Sequence, residues 1–244
     1  MSEHVTKHYP NAVSFDHFFS MIDDQLRGAG FSPAHAVIGI KQCRDDCNYT
    51  LRQYIFERYG TPGYFSLEVL AGLPSPGKTA YAALAHHLKD AAGQGPLILL
   101  DFAHIGFDPT GTLGKVARHG RKNPGANCGA LVGYVHAMMK ESYTIDDAFP
   151  ADKDPEMNKL ARLLEPYEQD IKTAGTKSFE EALKAATIKA WEISRKIQLG
   201  DILSVKGELH GHPVILAGGI HVNTSPPEQE DLIVPFGEIV LLHE

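Results

Sequence analysis

The chain has 244 residues, of which 43% are hydrophobic and 22% charged, values typical of a soluble globular protein. Its formal charge of −7 and its pI near 6.0 argue against an extended nucleic-acid or anionic-membrane surface, because the required excess of Lys and Arg is missing. The segment MSEHVTKHYP has no basic region followed by an apolar one, and no apolar run reaches membrane-spanning length. We therefore expect a cytoplasmic protein, or the mature form of an imported one, without nucleic-acid or membrane partners.

The first 140 positions alternate between apolar residues at helical spacing and short, continuous β-rich runs. The predicted elements, in chain order, are a helix over 15–29 capped by Ser14, a strand over 36–40, a helix over 48–60, a strand over 65–71, a helix over 78–92, a strand over 96–102 and a helix over 128–140. Such alternation is typical of βαβ units and a parallel sheet, whose ligands bind at the carboxyl ends of the strands.

The rest of the chain has a different pattern. Helices are predicted near 155–172 and over 178–198, the second capped by Ser178 with Glu181 three residues later. Three C-terminal segments are predicted as strands, namely ILSVKGEL, PVILAGGIHV and LIVPFGEIVLLH. We expect a single α/β domain over 1–244, with a mostly parallel sheet flanked by helices, a core at about 36–140, and helical and C-terminal β additions over 141–244.

The segment GLPSPGKT at 72–79 fits the phosphate-binding pattern G-x-x-x-x-G-K-[ST] and lies between a predicted strand and a predicted helix. Asp101, at the end of PLILLD, is where a magnesium-binding aspartate would be sought. However, a phosphate cradle works through backbone N–H donors, and proline has none, so Pro74 and Pro76 remove two of them. We favour a tight loop in which Lys78 opens a helix, and a nucleotide hydrolase is the less favoured alternative.

A different group of residues follows other strand ends. Cys43 lies in the loop after the first predicted strand, His104 just past the third, and Cys128 at the start of a helix. Two thiolates and an imidazole are a preferred ligand set for Zn²⁺, and three protein ligands leave a fourth position for water, as in catalytic zinc sites. The alternatives are two buried, inert cysteines and a hydrogen-bonded core histidine.

The segments IGIKQCRDD, LAGLPSPGKTAYAALAHH, FAHIGFD and NCGALVGYV follow one another in this order. Together they resemble the limiting CO2-inducible protein B/C family, a group of β-carbonic-anhydrase-like proteins sometimes called the theta class, over roughly residues 36–140. The resemblance implies a β-carbonic-anhydrase-like fold and zinc bound by Cys43, His104 and Cys128. It also implies a homodimer, and an enzyme that interconverts CO2 and bicarbonate through a zinc-bound hydroxide.

The β-class enzymes that this family resembles use an Asp–Arg pair, in which Asp orients the zinc-bound hydroxide and Arg holds the Asp. Asp45 stands at the Asp position of their C-x-D-x-R motif, but the Arg position is Cys47. Arg44, consistent with the family's C-R-D, is therefore the expected partner of Asp45. If Arg44 cannot reach, Asp45 or Cys47 could take the fourth zinc position and close the site, which would then be structural.

Other residues are open to two interpretations. His86 and His87 are possible proton shuttles or ordinary residues of an Ala-rich helix, and we favour the second for each. Asp108 orients His104 or starts the turn DPTG, and we favour the turn. The alternative function of a different class is a non-catalytic zinc protein on the same scaffold, binding bicarbonate or a partner.

Overall fold

The computed structural model describes residues 3–60, 64–73, 76–88, 95–118, 120–225 and 230–242. Within them the α-helices are α1 Glu3–His8, α2 Phe15–Gly28, α3 Tyr49–Tyr59, α4 Lys78–His86, α5 Gly129–Met138, α6 Ile145–Ala148, α7 Pro155–Leu164, α8 Glu168–Gly175 and α9 Phe179–Ser204. The strands are β1 Val13–Ser14, β2 Val37–Lys41, β3 Phe65–Ser66, β4 Leu97–Gly106, β5 Lys115–Val116, β6 Gly125–Ala126, β7 Val214–Asn223, β8 Leu232–Pro235 and β9 Val240–Leu242.

The central sheet has the strand order β1-β8-β7-β4-β2-β3, and β9 also pairs with β7. Strands β3, β2, β4 and β7 run parallel, whereas β8 and β9 run antiparallel to β7. The predicted mostly parallel sheet with added C-terminal strands is therefore confirmed. The carboxyl ends of β2, β4 and β7 meet at one edge, where Gly106 of β4 pairs with Asn223 of β7.

Both faces of the sheet are covered by helices. On β4, Ile98, Leu100 and Phe102 are fully buried in a cluster with apolar residues of α2 and α3. The alternate residues Leu97 and Leu99 pack in a second cluster with residues of α4 and of the end of α9. Because both faces are apolar, β4 reads as a continuous hydrophobic run, as is usual for buried parallel strands. None of the helices described here combines the length and the apolarity that a bilayer crossing requires.

Three of the predicted strands are wrong in extent or in type, and one of them, LIVPFGEIVLLH, contains two separate strands, β8 and β9. The strand predicted over 65–71 forms a ladder at Phe65–Ser66 and one isolated bridge at Val69, and the chain then bends through a 3₁₀ turn at Leu70–Gly72. The segment 202–209 is not a strand, because α9 continues to Ser204 and a 3₁₀ turn follows at Lys206–Leu209. Its buried residues Ile202, Val205 and Leu209 recur at helical spacing and pack on the sheet.

One further helix differs from the prediction. The helix predicted near 155–172 is divided into α7 and α8 by a 3₁₀ turn at Glu165–Tyr167, which contains Pro166, a residue without a backbone N–H. The last part of the helix predicted over 78–92 lies outside the described residues. The two predicted N-caps are confirmed, since the side chains of Ser14 and Ser178 accept hydrogen bonds from the backbone N–H groups of His17 and Glu181.

Candidate metal centre

Cys43, His104 and Cys128 come together at the carboxyl edge of the sheet. One potential ligand atom of each lies within 4.8 Å of those of the other two, and the residues are only 4%, 1% and 1% exposed. In a tetrahedral zinc site with Zn–S bonds of about 2.3 Å, ligand sulfur atoms are separated by roughly 3.8 Å. The three side chains therefore have the spacing and the chemistry of a metal-binding cluster.

Cys43 is held by the turn that ends the β3 segment. A bridge joins Cys43 to Val69, and the backbone N–H of Ala71 donates to Sγ of Cys43 at 3.2 Å. Ala71 has φ 54°, a left-handed conformation that costs a non-glycine residue about 1 kcal/mol or more. The strained turn replaces the end of the predicted strand and directs a hydrogen-bond donor at the sulfur.

Cys128 is the N-cap residue of α5 and also adopts a left-handed conformation, with φ 52°. Its sulfur lies where the positive end of the helix dipole favours negative charge. Ala71 and Cys128 are two of the three non-glycine residues with positive φ in the described part of the chain. Backbone strain is thus concentrated around this cluster, as is common at functional sites.

His104 presents its two ring nitrogens to different partners. Nδ1 lies 3.0 Å from Oδ1 of Asn223, whereas Nε2 is buried and has no hydrogen-bond partner among the described residues. A buried nitrogen without a partner is costly unless a ligand satisfies it. The residues therefore fit a metal ion, with Nε2 of His104 and the two sulfur atoms as its ligands.

The cluster favours negative charge on one of its two sulfur atoms, that of Cys43. A hydrogen bond from Cys128 and the proximity of His104 lower the pKa of the Cys43 thiol to about 4, although burial opposes this. The pKa of Cys128 is raised, because it donates to Cys43 and is buried. Burial acts to lower the pKa of His104, but the sulfur atoms of Cys128 and Cys43 outweigh it and raise that pKa. Thiolate is the form in which cysteine binds metals.

Asp45 is paired with Arg118, not with Arg44. Nη2 of Arg118 donates to both carboxylate oxygens of Asp45, at 2.8 and 3.1 Å, and the two side chains are only 14% and 15% exposed. Arg44 instead forms an ion pair with Glu156 on the surface, where both side chains are about half exposed. The expectation that Arg44 completes the pair is wrong in this structure, because its guanidinium points to α7.

Arg118 is the partner of Asp45 that the sequence analysis missed. Its remaining donors bind Oδ1 of Asp46 and the carbonyl oxygen of Ala126, both at 2.8 Å. Burial acts to raise the pKa of Asp45, but hydrogen bonds involving Asp46 and Arg118 outweigh it, so the pKa lies well below its usual value. The available signal was the basic segment ARHGRKNPG shortly before Cys128, which composition alone did not connect to Asp45.

Cys47 contacts the ring of His104 at Nδ1. Its sulfur is 3.4 Å from Nδ1 of His104 and 3.3 Å from Nδ2 of Asn127. Asp45, Cys47 and His104 form a second group of potential ligand atoms within 4.8 Å, but neither Asp45 nor Cys47 joins Cys43, His104 and Cys128 in a group of four. Burial raises the pKa of the Cys47 thiol, which disfavours the thiolate.

The motifs that suggested other chemistry have structural roles. Gly77 is the N-cap residue of α4 and Lys78 its first residue, while Pro74 and Ser75 of the GLPSPGKT segment lie outside the described residues. Asp101 is fully buried and accepts a hydrogen bond from Ser194. Asp108 accepts bonds from the backbone N–H groups of Thr110 and Thr112, which confirms the turn.

A groove of about 450 Å³ opens beside the cluster and is lined in part by Cys47, Arg118, Asn223 and Asp231. The proposed ligands Cys43, His104 and Cys128 do not line it. The groove therefore reaches the side chains that surround the cluster.

A parallel sheet that places two cysteines and a histidine at its carboxyl edge defines an α/β protein with a potential metal site. The chain belongs to the family of limiting CO2-inducible proteins B/C beta carbonic anhydrases, which it matches over residues 12–238. This match confirms the family suggested by the four short segments. It also extends beyond those segments, over α2 and over the C-terminal strands β7 and β8.

Solved structures share this fold. PtLCIB4, a homolog of the limiting CO2-inducible protein LCIB, is 24% identical with a TM-score of 0.80, covering 98% of this chain and 94% of that chain. The limiting CO2-inducible protein LCIB itself is 15% identical with a TM-score of 0.59, covering 97% of this chain and 93% of that chain. At these identities the likeness establishes the fold and not the activity. No curated protein matches the chain.

Proposed function

We propose that the protein is a zinc-dependent carbonic anhydrase that interconverts CO2 and bicarbonate. The observation that carries the proposal is the combination of three buried potential ligands with a neighbouring carboxylate, Asp45, that Arg118 holds in place. A closed site of four ligands would favour a structural metal instead. Here three potential ligands cluster, and the charged pair lies beside them.

The proposed ligands are Sγ of Cys43, Nε2 of His104 and Sγ of Cys128. A zinc ion bound there would lower the pKa of a water molecule toward neutrality. The hydroxide that this water would become is the nucleophile that CO2 hydration requires. The residues of the chain define the surroundings of that chemistry. The burial of the three ligands keeps bulk water away, so charges and hydrogen bonds near them act in a low effective dielectric.

Asp45 is the proposed orienting group. Because its pKa is lowered, Asp45 is ionised at neutral pH and can only accept hydrogen bonds. One of its oxygens lies within 4.8 Å of a ring nitrogen of His104, so it can accept the O–H of a nucleophile at the cluster. Arg118 donates hydrogen bonds to both carboxylate oxygens of Asp45. These bonds restrain the orientation of the carboxylate, and so the direction from which it can accept a further hydrogen bond.

Two measurements on the purified full-length chain test this function. Metal analysis should find about one zinc per chain in the wild type and a marked loss in the Cys43→Ala, His104→Ala and Cys128→Ala variants. Stopped-flow CO2 hydration should then show activity only in the zinc-containing protein. Freshly prepared wild type that contains no zinc would overturn the proposal.

A non-catalytic zinc protein is the second candidate. The observation that favours it is that the three ligands are almost completely buried and do not line the neighbouring groove. Zinc at full occupancy without turnover in either direction would support this candidate and exclude the enzyme.

The homodimer and the cytoplasmic location are also parts of the proposal, and they rest on the family resemblance and on composition. Light scattering of the purified chain tests the first, with twice the chain mass of 26.7 kDa as the expected result. Localisation of a tagged full-length chain tests the second.

A further inference from the structure

We propose that Asn223 is a positioning residue for the metal site, because it determines which nitrogen of His104 carries the proton. The inference rests on the proposed zinc function and identifies a residue that acts through a ligand. Asn223 is 1% exposed and ends β7, and its side chain lies between His104, Asn127 and the Cys47 backbone.

The orientation of the Asn223 amide follows from its neighbours. Nδ2 lies 2.9 Å from the carbonyl oxygen of Cys47, which can only accept a hydrogen bond. The amide nitrogen must therefore face Cys47, and Oδ1 faces His104 at 3.0 Å from Nδ1. Since Oδ1 can only accept, Nδ1 of His104 must carry the hydrogen. In the neutral ring, the lone pair is then on Nε2, the buried nitrogen that has no hydrogen-bond partner among the described residues.

Further contacts restrain the same amide. Nδ2 of Asn127 donates to Oδ1 of Asn223 at 2.9 Å, which a reversed amide could not accept. On the opposite side, Nδ2 of Asn223 lies 3.2 Å from Oδ2 of Asp231, a carboxylate acceptor. Burial tends to raise the pKa of Asp231, but its hydrogen bonds with His221 and Thr50 lower it overall and favour the ionised acceptor.

The same network extends to the other end of the cluster. Nδ2 of Asn48 donates to the carbonyl oxygen of Cys43 at 2.8 Å, so Oδ1 of Asn48 accepts from Nδ1 of His221 at 2.9 Å. Nε2 of His221 lies 3.0 Å from Oδ2 of Asp231. A chain of buried polar side chains thus connects the backbone of Cys43 to the ring of His104.

The strand register explains why β7 supplies this residue. His104 pairs with His221 across β4 and β7, and Asn223 lies two residues further along β7. Residues two apart in a strand point to the same face. The side chain of Asn223 therefore projects from the same face as that of His221, two positions past the pair of His104 with His221. Removal of the partner of a metal-binding histidine typically weakens metal binding or activity by about 10- to 100-fold.

The test compares wild type with Asn223→Leu and Asn223→Asp, because leucine removes the acceptor at similar volume and aspartate restores it. Zinc affinity is measured by competition with a chelator, and the His104 tautomer by ¹⁵N NMR of the zinc-loaded full-length chain. We expect a proton on Nδ1 and the metal on Nε2 in wild type. We also expect about 10- to 100-fold weaker zinc binding in Asn223→Leu, with partial recovery in Asn223→Asp.

Ser225→Ala is the matched control, because Ser225 is buried two residues further on and binds Phe107 O and the N–H of Ala117 instead of His104. This control should lower thermal stability without changing zinc affinity. Wild type with zinc on Nδ1 of His104, or Asn223→Leu with unchanged affinity and tautomer, would overturn the inference. If Asn223→Leu does not fold, the wild-type tautomer and the affinity of Asn223→Asp still decide it. Wild type that binds no zinc would refute the proposed function instead.

Discussion

Arg118, 73 residues further along the chain, donates hydrogen bonds from Nη2 to both carboxylate oxygens of Asp45, at 2.8 Å from Oδ1 and 3.1 Å from Oδ2. The same guanidinium binds Asp46 and the carbonyl oxygen of Ala126. It therefore joins the loop that carries Cys43 to the segment that leads into Cys128. The orientation of Asp45, the charged group next to the proposed metal site, is therefore fixed by an arginine from a distant loop and not by the adjacent Arg44.

The first prediction concerns this pair. Arg118→Ala should reduce CO2 hydration by about 10- to 100-fold, because Asp45 loses the group that orients it. Arg118→Lys should restore little, since a single ammonium cannot reproduce the two-oxygen contact. Stopped-flow kinetics at equal zinc content measures both. Arg44→Ala is the control and should remain close to wild type, and an equal loss there would reassign the pair to Arg44.

The second prediction concerns Cys47. Its sulfur contacts Nδ1 of His104, the nitrogen that also faces Asn223, and so it lies away from the proposed ligand atom. Cys47→Ala should therefore keep about one zinc per chain, as measured by metal analysis. X-ray absorption at the zinc edge should count two sulfur ligands in both proteins. Three sulfur ligands in wild type would show that Cys47 closes the site.

The third prediction concerns the buried pair Lys41 and Asp101, which occupy paired positions on β2 and β4. Nζ of Lys41 donates to Oγ of Ser194, which donates to Asp101 at 2.7 Å. Burial lowers the pKa of Lys41 and raises that of Asp101, so each charge is costly alone. Lys41→Met should lower the free energy of unfolding by about 3 to 5 kcal/mol, because it leaves Asp101 uncompensated.

The double variant Lys41→Met with Asp101→Leu should recover much of that loss, because replacement of a buried charged pair by apolar residues is often neutral or stabilising. Urea unfolding of the wild type and the single and double variants gives the coupling free energy. Additive losses would show that the two charges do not depend on each other.

The fourth prediction concerns pH. Burial acts to raise the pKa of Asp231, but His221, Thr50 and the N–H of Thr224 lower it overall. A carboxyl whose pKa is lowered by folding stabilises the protein above its unfolded pKa of about 3.9, and this contribution is lost as the pH falls through the folded value. Asp231→Asn should thus destabilise at pH 7 by about 1.5 to 3 kcal/mol, the value of hydrogen bonds to a charged group.

The difference between wild type and Asp231→Asn should shrink as the solution is acidified below the unfolded pKa of the carboxyl. Urea unfolding at neutral and acidic pH measures it. A difference that stays constant over this range would show that the ionised carboxylate of Asp231 contributes nothing specific.

Local sequence signals predicted the elements that depend on near neighbours. The caps Ser14 and Ser178 and the turn at Asp108 formed where they were predicted, and the strand predicted over 96–102 formed as β4 but continues to Gly106, so that His104 lies within it. Errors occurred where tertiary contacts determine the conformation. The predicted strand over 65–71 ends in a turn where Ala71 donates to Cys43, and the apolar residues of 202–209 pack on the sheet from the end of α9 and the turn after it.

The amino-acid sequence by itself determined the parallel sheet, the family and the three residues that cluster, because strand ends and ligand types are visible in the order of residues. The tertiary structure decided which side chains surround them. Three side chains reach the site from separate parts of the chain: Arg118 from the segment after β5, Asn223 from the end of β7 and Asp231 from the position before β8. Spacing along a chain does not encode such contacts, since they depend on strand register and on how distant loops pack together.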